Sequence, residues 1–183
     1  MVILDRDGVI NHDSEAYIRS PDEWEPIDGA IEAVASLSQG GIDVVVATNQ
    51  AGVAKGIFNQ ATLDAIHCKL LNCVQARGGV IRRIYCCTHH PEAGCQCRKP
   101  QPGMLRAACG DFGVLPSETI FVGDSMRDLL AAEGAGCIPA LVKTGNGVKT
   151  LATANIPAGT MVFDSLETFS GWYLSDFSAP RAR

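Results

Sequence analysis

The chain has 183 residues, of which 46% are hydrophobic, 19% charged and 6% aromatic, and its formal net charge is −5. A globular domain of this length buries roughly 70% of the surface of its unfolded chain, so it needs no disulfides to hold a core. The acidic balance argues against a general nucleic-acid-binding protein, because that activity depends on neutralising phosphates, and no segment approaches the ~18 apolar residues of a membrane span.

The eight cysteines stand out in a chain of this kind. The apolar start Met1 to Leu4 meets Asp5 at once, so we expect no secretory signal and a cytoplasmic protein. Disulfides are rare in a reducing compartment, so clustered cysteines point to metal binding or catalysis and scattered ones to small core residues. We expect a monomer with a small-molecule substrate and neither a nucleic-acid nor a membrane partner.

Six short apolar runs rich in β-branched residues predict strands. In chain order they are Val2–Leu4, Asp43–Ala47, Val80–Cys86, Thr119–Val122, Ala140–Val142 and Thr160–Phe163.

Segments of helical periodicity lie between most of these runs. One starts at Ala30 and stops before Gly40, and a second follows an Asn59 cap and stops before Gly78. Further helices are predicted over Met104–Phe112, Ser125–Ala132 and Leu166–Leu174. The alternation predicts an α/β fold, a doubly wound, mostly parallel, Rossmann-like sheet with helices on both faces and no large cap domain. We expect one domain over residues 1–178 and a frayed tail over residues 179–183.

Acidic residues follow two of the predicted strands. Asp5 and Asp7 come directly after the first strand, and Asp124 and Asp128 come after the strand that ends at Val122. Single Asp residues at strand exits often cap turns, but the carboxyl ends of parallel strands meet at one edge of a sheet. Carboxylates that converge repel each other unless a cation lies among them, and Mg²⁺ suits such oxygen ligands. The pattern therefore predicts a magnesium site and a phosphate substrate.

Two polar segments accompany these acids. The second strand runs into Thr48-Asn49-Gln50-Ala51-Gly52, whose hydroxyl, amide and backbone N–H groups can bind an anion. Arg98-Lys99 precede a predicted helix. Taken alone, each is ordinary turn or surface chemistry. Together with the acids they supply a nucleophile, a proton donor, a metal site and a cation, which indicates phosphoryl transfer.

These four motifs, DRDG, TNQ, a Lys before a helix and GDxxxD, resemble those of the haloacid dehalogenase superfamily of phosphohydrolases and span residues 1 to about 145. The resemblance implies that Asp5 is the nucleophile and forms an aspartyl-phosphate, while Asp7 protonates the leaving oxygen and then activates water. It also implies that Asp124, Asp5 and the Asp7 carbonyl hold Mg²⁺, with Asp128 supporting the ion from behind or through water. Phosphoryl oxygens would contact Thr48, the Asn49 N–H group and Lys99.

A second metal site is predicted in the segment 86–99. Cys87 and His89 form one pair with a single residue between them, and Cys95 and Cys97 form another. Residues i and i+2 of an extended segment face the same side, so the two pairs can present four ligands for a closed, structural Zn²⁺. Packing cysteines or a facultative disulfide are the alternatives. The five remaining cysteines fall where small buried side chains are ordinary: Cys68, Cys73, Cys86, Cys109 and Cys137.

The longer strings DRDGVIN, TNQAGVAKG, CRKPQPGM and GDSMRDLLAA resemble the branch of the superfamily that removes the 7-phosphate of D-glycero-D-manno-heptose 1,7-bisphosphate, during synthesis of the heptose precursor of lipopolysaccharide. This resemblance implies sugar contacts from Asp13 to Tyr17, phosphoryl contacts from Thr48 to Ala51, and substrate recognition by Arg98 and Lys99.

Two alternatives remain open at this point. The histidinol-phosphate phosphatases of histidine biosynthesis share the DRDG motif, the segment of the zinc ligands (residues 86–99, the zinc loop) and the CRKP motif. The short gap between His89 and Cys95 is similar to the gap in that branch. A zinc-stabilised binding module without catalysis is the other alternative.

Overall fold

The computed structural model describes residues 1–153 and 155–177. Its strands are β1 (Val2–Leu4), β2 (Val44–Asn49), β3 (Arg83–Cys87), β4 (Ile120–Gly123), β5 (Ile138–Val142) and β6 (Met161–Phe163). All paired neighbours are parallel, in the order β3-β2-β1-β4-β5-β6. The predicted doubly wound parallel sheet is confirmed. The chain moves outward from β1 in both directions, so the gap between the loops after β1 and β4 is where such sheets bind ligands.

The helices are α1 (Ala30–Gln39), α2 (Gln60–Ala76), α3 (Gly103–Phe112), α4 (Met126–Ala135), α5 (Gly147–Leu151) and α6 (Leu166–Trp172), with 3₁₀ turns at Pro21–Glu23 and Pro116–Glu118. The predicted Asn59 cap is present, because its side chain accepts a hydrogen bond of 2.9 Å from the Thr62 N–H group. None of the described helices is long and apolar enough to cross a membrane.

Two buried clusters cover the two faces of the sheet. One packs α1, α2 and α6 against side chains such as Leu4 and Val46, and the other packs α3 and α4 against Ile3 and Val45. Side chains alternate between the faces of a strand, so neighbouring residues of β1 and β2 enter different clusters. Burial on both faces explains why these strands read as continuous apolar runs.

The structure differs from the sequence prediction at several element ends. The third strand begins at Arg83 rather than Val80, since Val80 is exposed and its N–H group bonds the Ser38 hydroxyl. The last helix gives way after Trp172 to a π-helical turn, Tyr173–Phe177. Helix α5 was not predicted, because five residues are too few to show a periodic pattern. The expected frayed tail, residues 179–183, lies outside the described residues.

One cysteine prediction was wrong. Cys109 and Cys137 are buried as expected and Cys73 and Cys86 are partly buried, but Cys68 is exposed. Cys68 lies on the outer side of α2, whose buried positions are Leu63, Ile66, Leu70 and Val74.

Candidate active site

A cavity of about 190 Å³ opens at the carboxyl ends of β1, β2 and β4. Its lining includes the residues that the sequence assigned to the phosphate, sugar and magnesium sites, except Ala16 of the segment from Asp13 to Tyr17: Asp5, Asp7, Asp13, Ser14, Glu15, Tyr17, Thr48, Asn49, Gln50, Ala51, Arg98, Lys99, Asp124 and Asp128. The doubly wound topology explains the convergence, since each of these residues follows or faces a strand end.

Three buried carboxylates lie together in the lining of the cavity. Asp5, Asp124 and Asp128 place oxygens within 4.8 Å of one another. Burial raises the pKa of Asp5 well above its usual range, and the charges of Asp128 and Asp124 add to this effect although Lys99 opposes it. Burial also raises the pKa of Asp124 to about 6, against hydrogen bonds from Asn146. A hard divalent cation fits this set of oxygen donors, because it would favour the ionised carboxylates.

Lys99 is buried between two of these acids. Its ammonium group lies 2.8 Å from Asp5 Oδ1 and 2.7 Å from Asp128 Oδ1, and it donates to the Ala47 carbonyl at 2.9 Å. Burial lowers the pKa of Lys99, but the two carboxylates outweigh this effect, so the pKa lies above its usual value. Burial opposes ionisation of Asp128 as well, yet the Lys99 charge holds the pKa of Asp128 below its usual range. With three partners already, Lys99 can reach a phosphoryl oxygen only by exchanging one of them.

Asp128 is fixed by the start of α4. Its Oδ2 accepts hydrogen bonds from the Ser125 N–H group at 3.1 Å and from the Ser125 hydroxyl at 2.5 Å. This capping arrangement satisfies the first turn of the helix and leaves Oδ1 for Lys99.

Arg6 orients Asp7, and it is a residue that sequence reasoning missed. The guanidinium donates from Nε at 3.0 Å and from Nη2 at 2.9 Å to Asp7 Oδ1, while the Arg6 N–H group donates to Asp5 Oδ1 at 2.7 Å. Arg6 is only 1% exposed. Its position between two acids at a strand end was the available signal. Asn11 and Gln50 also donate to Asp7, at 2.9 and 2.8 Å.

The segment after β2 links the phosphate side of the cavity to Lys99. Gln50 Nε2 donates to Thr48 Oγ1 at 2.9 Å as well as to Asp7. Asn49 Oδ1 accepts from the Lys99 N–H group at 3.1 Å, and Asn49 Nδ2 donates to the Lys99 carbonyl at 3.0 Å. The Asn49 side chain therefore fixes the backbone of Lys99, in addition to lining the cavity.

The outer rim is formed by the loop after β1. Tyr17 has a backbone φ of +66°, and its hydroxyl accepts a hydrogen bond of 2.8 Å from Lys55 Nζ. Asp13 Oδ2 accepts a bond of 3.2 Å from Asn146 Nδ2. Sequence reasoning missed Asn146, although the turn that holds it follows a predicted strand at the same edge of the sheet. The other lining residues it missed are Arg6, Ile18, Ser125 and Arg127.

The second predicted metal site lies beside the cavity. Cys87 Sγ is 3.6 Å from His89 Nδ1, 3.7 Å from Cys95 Sγ and 3.3 Å from Cys97 Sγ. Cys97 Sγ lies 3.2 Å from His89 Nδ1 and 3.4 Å from Cys95 Sγ. Sulfur ligands at about 2.3 Å from a tetrahedral Zn²⁺ are about 3.8 Å apart. The sulfur–sulfur distances here, 3.3 to 3.7 Å, are slightly shorter, so the thiols need to move apart only a little to hold the ion.

The thiols of this cluster have divergent proton affinities. Burial raises the pKa of Cys97 to about 12, and the neighbouring thiols Cys87 and Cys95 add to it. Burial opposes ionisation of Cys95 too, but hydrogen bonds from the Arg98 N–H group and from Cys97 lower its pKa to about 6. A group that tends to hold a thiolate among sulfur and imidazole donors suits a metal cation.

Comparisons with known proteins give a consistent result. A family model described as HAD-hydrolase-like matches residues 96–169. A D-glycero-beta-D-manno-heptose-1,7-bisphosphate 7-phosphatase of Bordetella bronchiseptica is 51% identical over 91% of this chain and 93% of its own length. A protein of the same name from Pseudomonas aeruginosa is 52% identical over 91% of this chain and 93% of its own.

A solved structure agrees with these relatives. The D,D-heptose 1,7-bisphosphate phosphatase from B. bronchiseptica, complexed with magnesium and phosphate, is 49% identical and superposes with a TM-score of 0.93 over 94% of this chain and 97% of that one.

Proposed function

Since the chain belongs to the D-glycero-beta-D-manno-heptose-1,7-bisphosphate 7-phosphatases of the haloacid dehalogenase superfamily, we propose that it removes the 7-phosphate of this sugar bisphosphate through an aspartyl-phosphate on Asp5. The observation that carries the proposal is that one cavity holds Asp5, Asp7, Thr48, Lys99 and Asp124. The family is enzymatic, so the alternative of a non-catalytic binding module is set aside.

Two metals belong to the proposal. Asp5, Asp124 and the Asp7 carbonyl would hold Mg²⁺, as the magnesium and phosphate bound to the B. bronchiseptica enzyme support. When bound, Mg²⁺ supplies positive charge that stabilises the charge developing on the phosphoryl oxygens. Cys87, His89, Cys95 and Cys97 would hold a structural Zn²⁺.

Asp5 and Asp7 perform the two chemical steps. A carboxylate oxygen of Asp5 attacks phosphorus, and the bond from phosphorus to the sugar oxygen breaks as Asp7 gives that oxygen a proton. Asp7 then takes a proton from water as the water oxygen attacks the aspartyl-phosphate, which releases inorganic phosphate and restores Asp5. The hydrogen bonds from Arg6, Asn11 and Gln50 keep Asp7 in reach of one phosphorus position.

Two arginines support a substrate with two phosphates, Arg98 from the segment that carries the candidate zinc ligands and Arg127 from α4. Arg98 and Arg127 line the active-site cavity and also an adjoining depression beside Cys95 and Gln101. Thr48, the Asn49 N–H group and Lys99 would hold the 7-phosphoryl group, which leaves the two guanidinium groups for the phosphate at the other end of the sugar. Guanidinium groups suit this task because their planar forks match phosphate oxygens.

The test is a comparison of kcat/KM for the heptose 1,7-bisphosphate, as separate α and β anomers, and for histidinol phosphate. Each substrate is assayed with and without Mg²⁺ on zinc-loaded protein. We expect Mg²⁺-dependent release of the 7-phosphate and a preference for the bisphosphate, as the names of the relatives favour. A preference for histidinol phosphate would overturn the proposal.

A further inference from the structure

The loop between β5 and α5 is held rigidly against the turn that follows β1. Thr144 Oγ1 donates to the Gly8 carbonyl at 2.6 Å, and Gly147 N–H bonds the Thr144 carbonyl at 2.9 Å. Gly8 and Gly145 approach so closely that a Cβ on either would collide with the Asp124 carboxylate. The backbone of residues 144–147 is therefore fixed relative to the candidate metal site.

Asn146, at the end of this loop, contacts two carboxylates that belong to different parts of the site. Its backbone N–H group donates to Asp124 Oδ2 at 2.7 Å. Its side-chain Nδ2 lies 3.2 Å from the same oxygen and 3.2 Å from Asp13 Oδ2. One amide group therefore spans from the candidate metal ligand to the loop assigned to the sugar.

The chemistry of an amide suits this position. A carboxamide has two N–H donors and no charge, so it can satisfy two carboxylates without competing with a metal cation for them. A carboxylate here would repel both Asp13 and Asp124, and an alanine would leave Asp13 without its described partner on this side. The backbone N–H group holds Asp124 whatever the side chain is. The side chain adds a longer contact of 3.2 Å to the same Asp124 oxygen and the bond to Asp13, and only the bond to Asp13 reaches the loop assigned to the sugar.

We propose that Asn146 is a positioning residue that holds the sugar-binding loop, through Asp13, against the metal-binding carboxylate Asp124. This inference rests on the proposed function, and it concerns how that site distinguishes a sugar phosphate from other phosphate esters. The hydrogen bond from Asn146 holds Asp13 in place before substrate binds, so no binding free energy is spent on ordering the loop. Loss of this hydrogen bond should raise the KM of a substrate whose sugar reaches Asp13 and leave kcat nearly unchanged.

The central experiment compares wild type, Asn146→Ala and Asn146→Asp on two substrates, the heptose 1,7-bisphosphate and p-nitrophenyl phosphate, which has no sugar. A single hydrogen bond is worth roughly a two- to tenfold change in an equilibrium. We expect Asn146→Ala to raise the KM of the bisphosphate by about that factor, with the KM of p-nitrophenyl phosphate little changed. Asn146→Asp should raise the KM of the bisphosphate further, because its carboxylate repels Asp13 and Asp124. Lys149→Ala, an exposed position of α5, is the matched control and should behave as wild type.

A second measurement needs no turnover. Amide hydrogen exchange of residues 12–18, in protein loaded with Mg²⁺ and zinc but without substrate, should be faster in Asn146→Ala than in wild type or Lys149→Ala. In an Asp13→Ala background, adding Asn146→Ala should no longer change the KM of the bisphosphate, because the partner of the amide is already gone.

The outcomes separate the two proposals. If wild type does not prefer the bisphosphate, the proposed function fails. If wild type prefers it and Asn146→Ala leaves both KM and loop exchange unchanged, the positioning role fails. Equal losses on both substrates, or full additivity with Asp13→Ala, would also overturn it, since they would place Asn146 in general support of Asp124.

Discussion

The ammonium group of Lys99 lies 2.8 Å from Oδ1 of Asp5, the proposed nucleophile. Lys99 follows Cys97 by two residues, so the segment that carries the candidate zinc ligands also delivers the cation that faces the nucleophile. Asn49 holds the Lys99 backbone from the other side. Stability of the zinc loop and catalysis at Asp5 are therefore linked through one lysine.

Asp5→Asn should abolish turnover. The amide is close to the carboxylate in size but is a far weaker nucleophile, so we expect kcat to fall by at least about 10⁴-fold, as for other enzymes that lose a nucleophile. The measurement is single-turnover hydrolysis with excess enzyme, together with circular dichroism to show that the variant is folded. Hydrolysis at the wild-type rate would exclude the covalent role of Asp5.

Cys97→Ala should lower turnover although it changes neither of the reacting groups, Asp5 and Asp7. Loss of one of four ligands should release zinc and let Lys99 shift, and a displacement of about 1 Å near reacting groups can cost about 10²-fold in rate. Zinc content by elemental analysis and kcat with Mg²⁺ are measured on the same sample. Cys68→Ala, at an exposed cysteine outside the cluster, is the control. Full activity of zinc-free protein in Mg²⁺ contradicts the link.

Gly8→Ala should disturb the magnesium site, which Gly41→Ala should leave intact. Gly8 has φ of +79°, and an added Cβ would collide with the Asp124 carboxylate. Gly41 has φ of +80° with open space around it, so Gly41→Ala carries the backbone strain alone, about 1–2 kcal/mol. We expect Gly8→Ala to lose more stability than Gly41→Ala, because the collision adds to the backbone strain. Only Gly8→Ala should lose Mg²⁺-dependent activity, by about 10²-fold. Equal activity in the two variants would show that Asp124 can move at no cost.

Stability should depend on pH through Asp124 when Mg²⁺ is absent. Burial raises the pKa of this carboxyl to about 6, so the folded state keeps its proton to higher pH than the unfolded state does. The folded state binds more protons between about pH 4 and pH 6, so this group removes stability as pH rises through that window, by up to about 3 kcal/mol. A bound cation favours the ionised form and should restore the loss.

Calorimetry tests this expectation on zinc-loaded protein with Mg²⁺ omitted rather than chelated. The increase in Tm that Mg²⁺ causes should be larger at about pH 7 than at about pH 5, where Asp124 is mostly protonated. Asp124→Asn should flatten this dependence. A Tm increase that is the same at both pH values would show that Asp124 does not bind the ion in the way proposed.

Much of the fold and of the site could be predicted from local sequence. The continuous apolar runs of β2 and β4 identify strands because both faces of the sheet are covered, and the Asn59 cap and the glycines after Gln39 mark helix ends. Asp5 and Thr48 lie at strand ends, so the topology of a parallel sheet alone predicts that they meet. Helix α5 could not be found, because its residues show no period and it is held by contacts such as Thr150 Oγ1 to the Asp124 carbonyl at 2.9 Å.

The sequence by itself determined which segments form strands and which acids, hydroxyl and cations lie at one edge of the sheet. It also determined the pairing of Cys87 with His89 and of Cys95 with Cys97. Periods of two and 3.6 residues and strand-end positions are local properties, so they can be read along the chain. Only the tertiary structure decided which groups pair at that edge. Lys99 is buried between Asp5 and Asp128, Arg6 turns to Asp7, and Asn146 reaches Asp13 from 133 positions away. These partners, whether adjacent like Arg6 and Asp7 or far apart like Asn146 and Asp13, are selected by how the loops pack and by the cost of leaving a buried charge unpaired. The spacing of residues along the sequence gives neither.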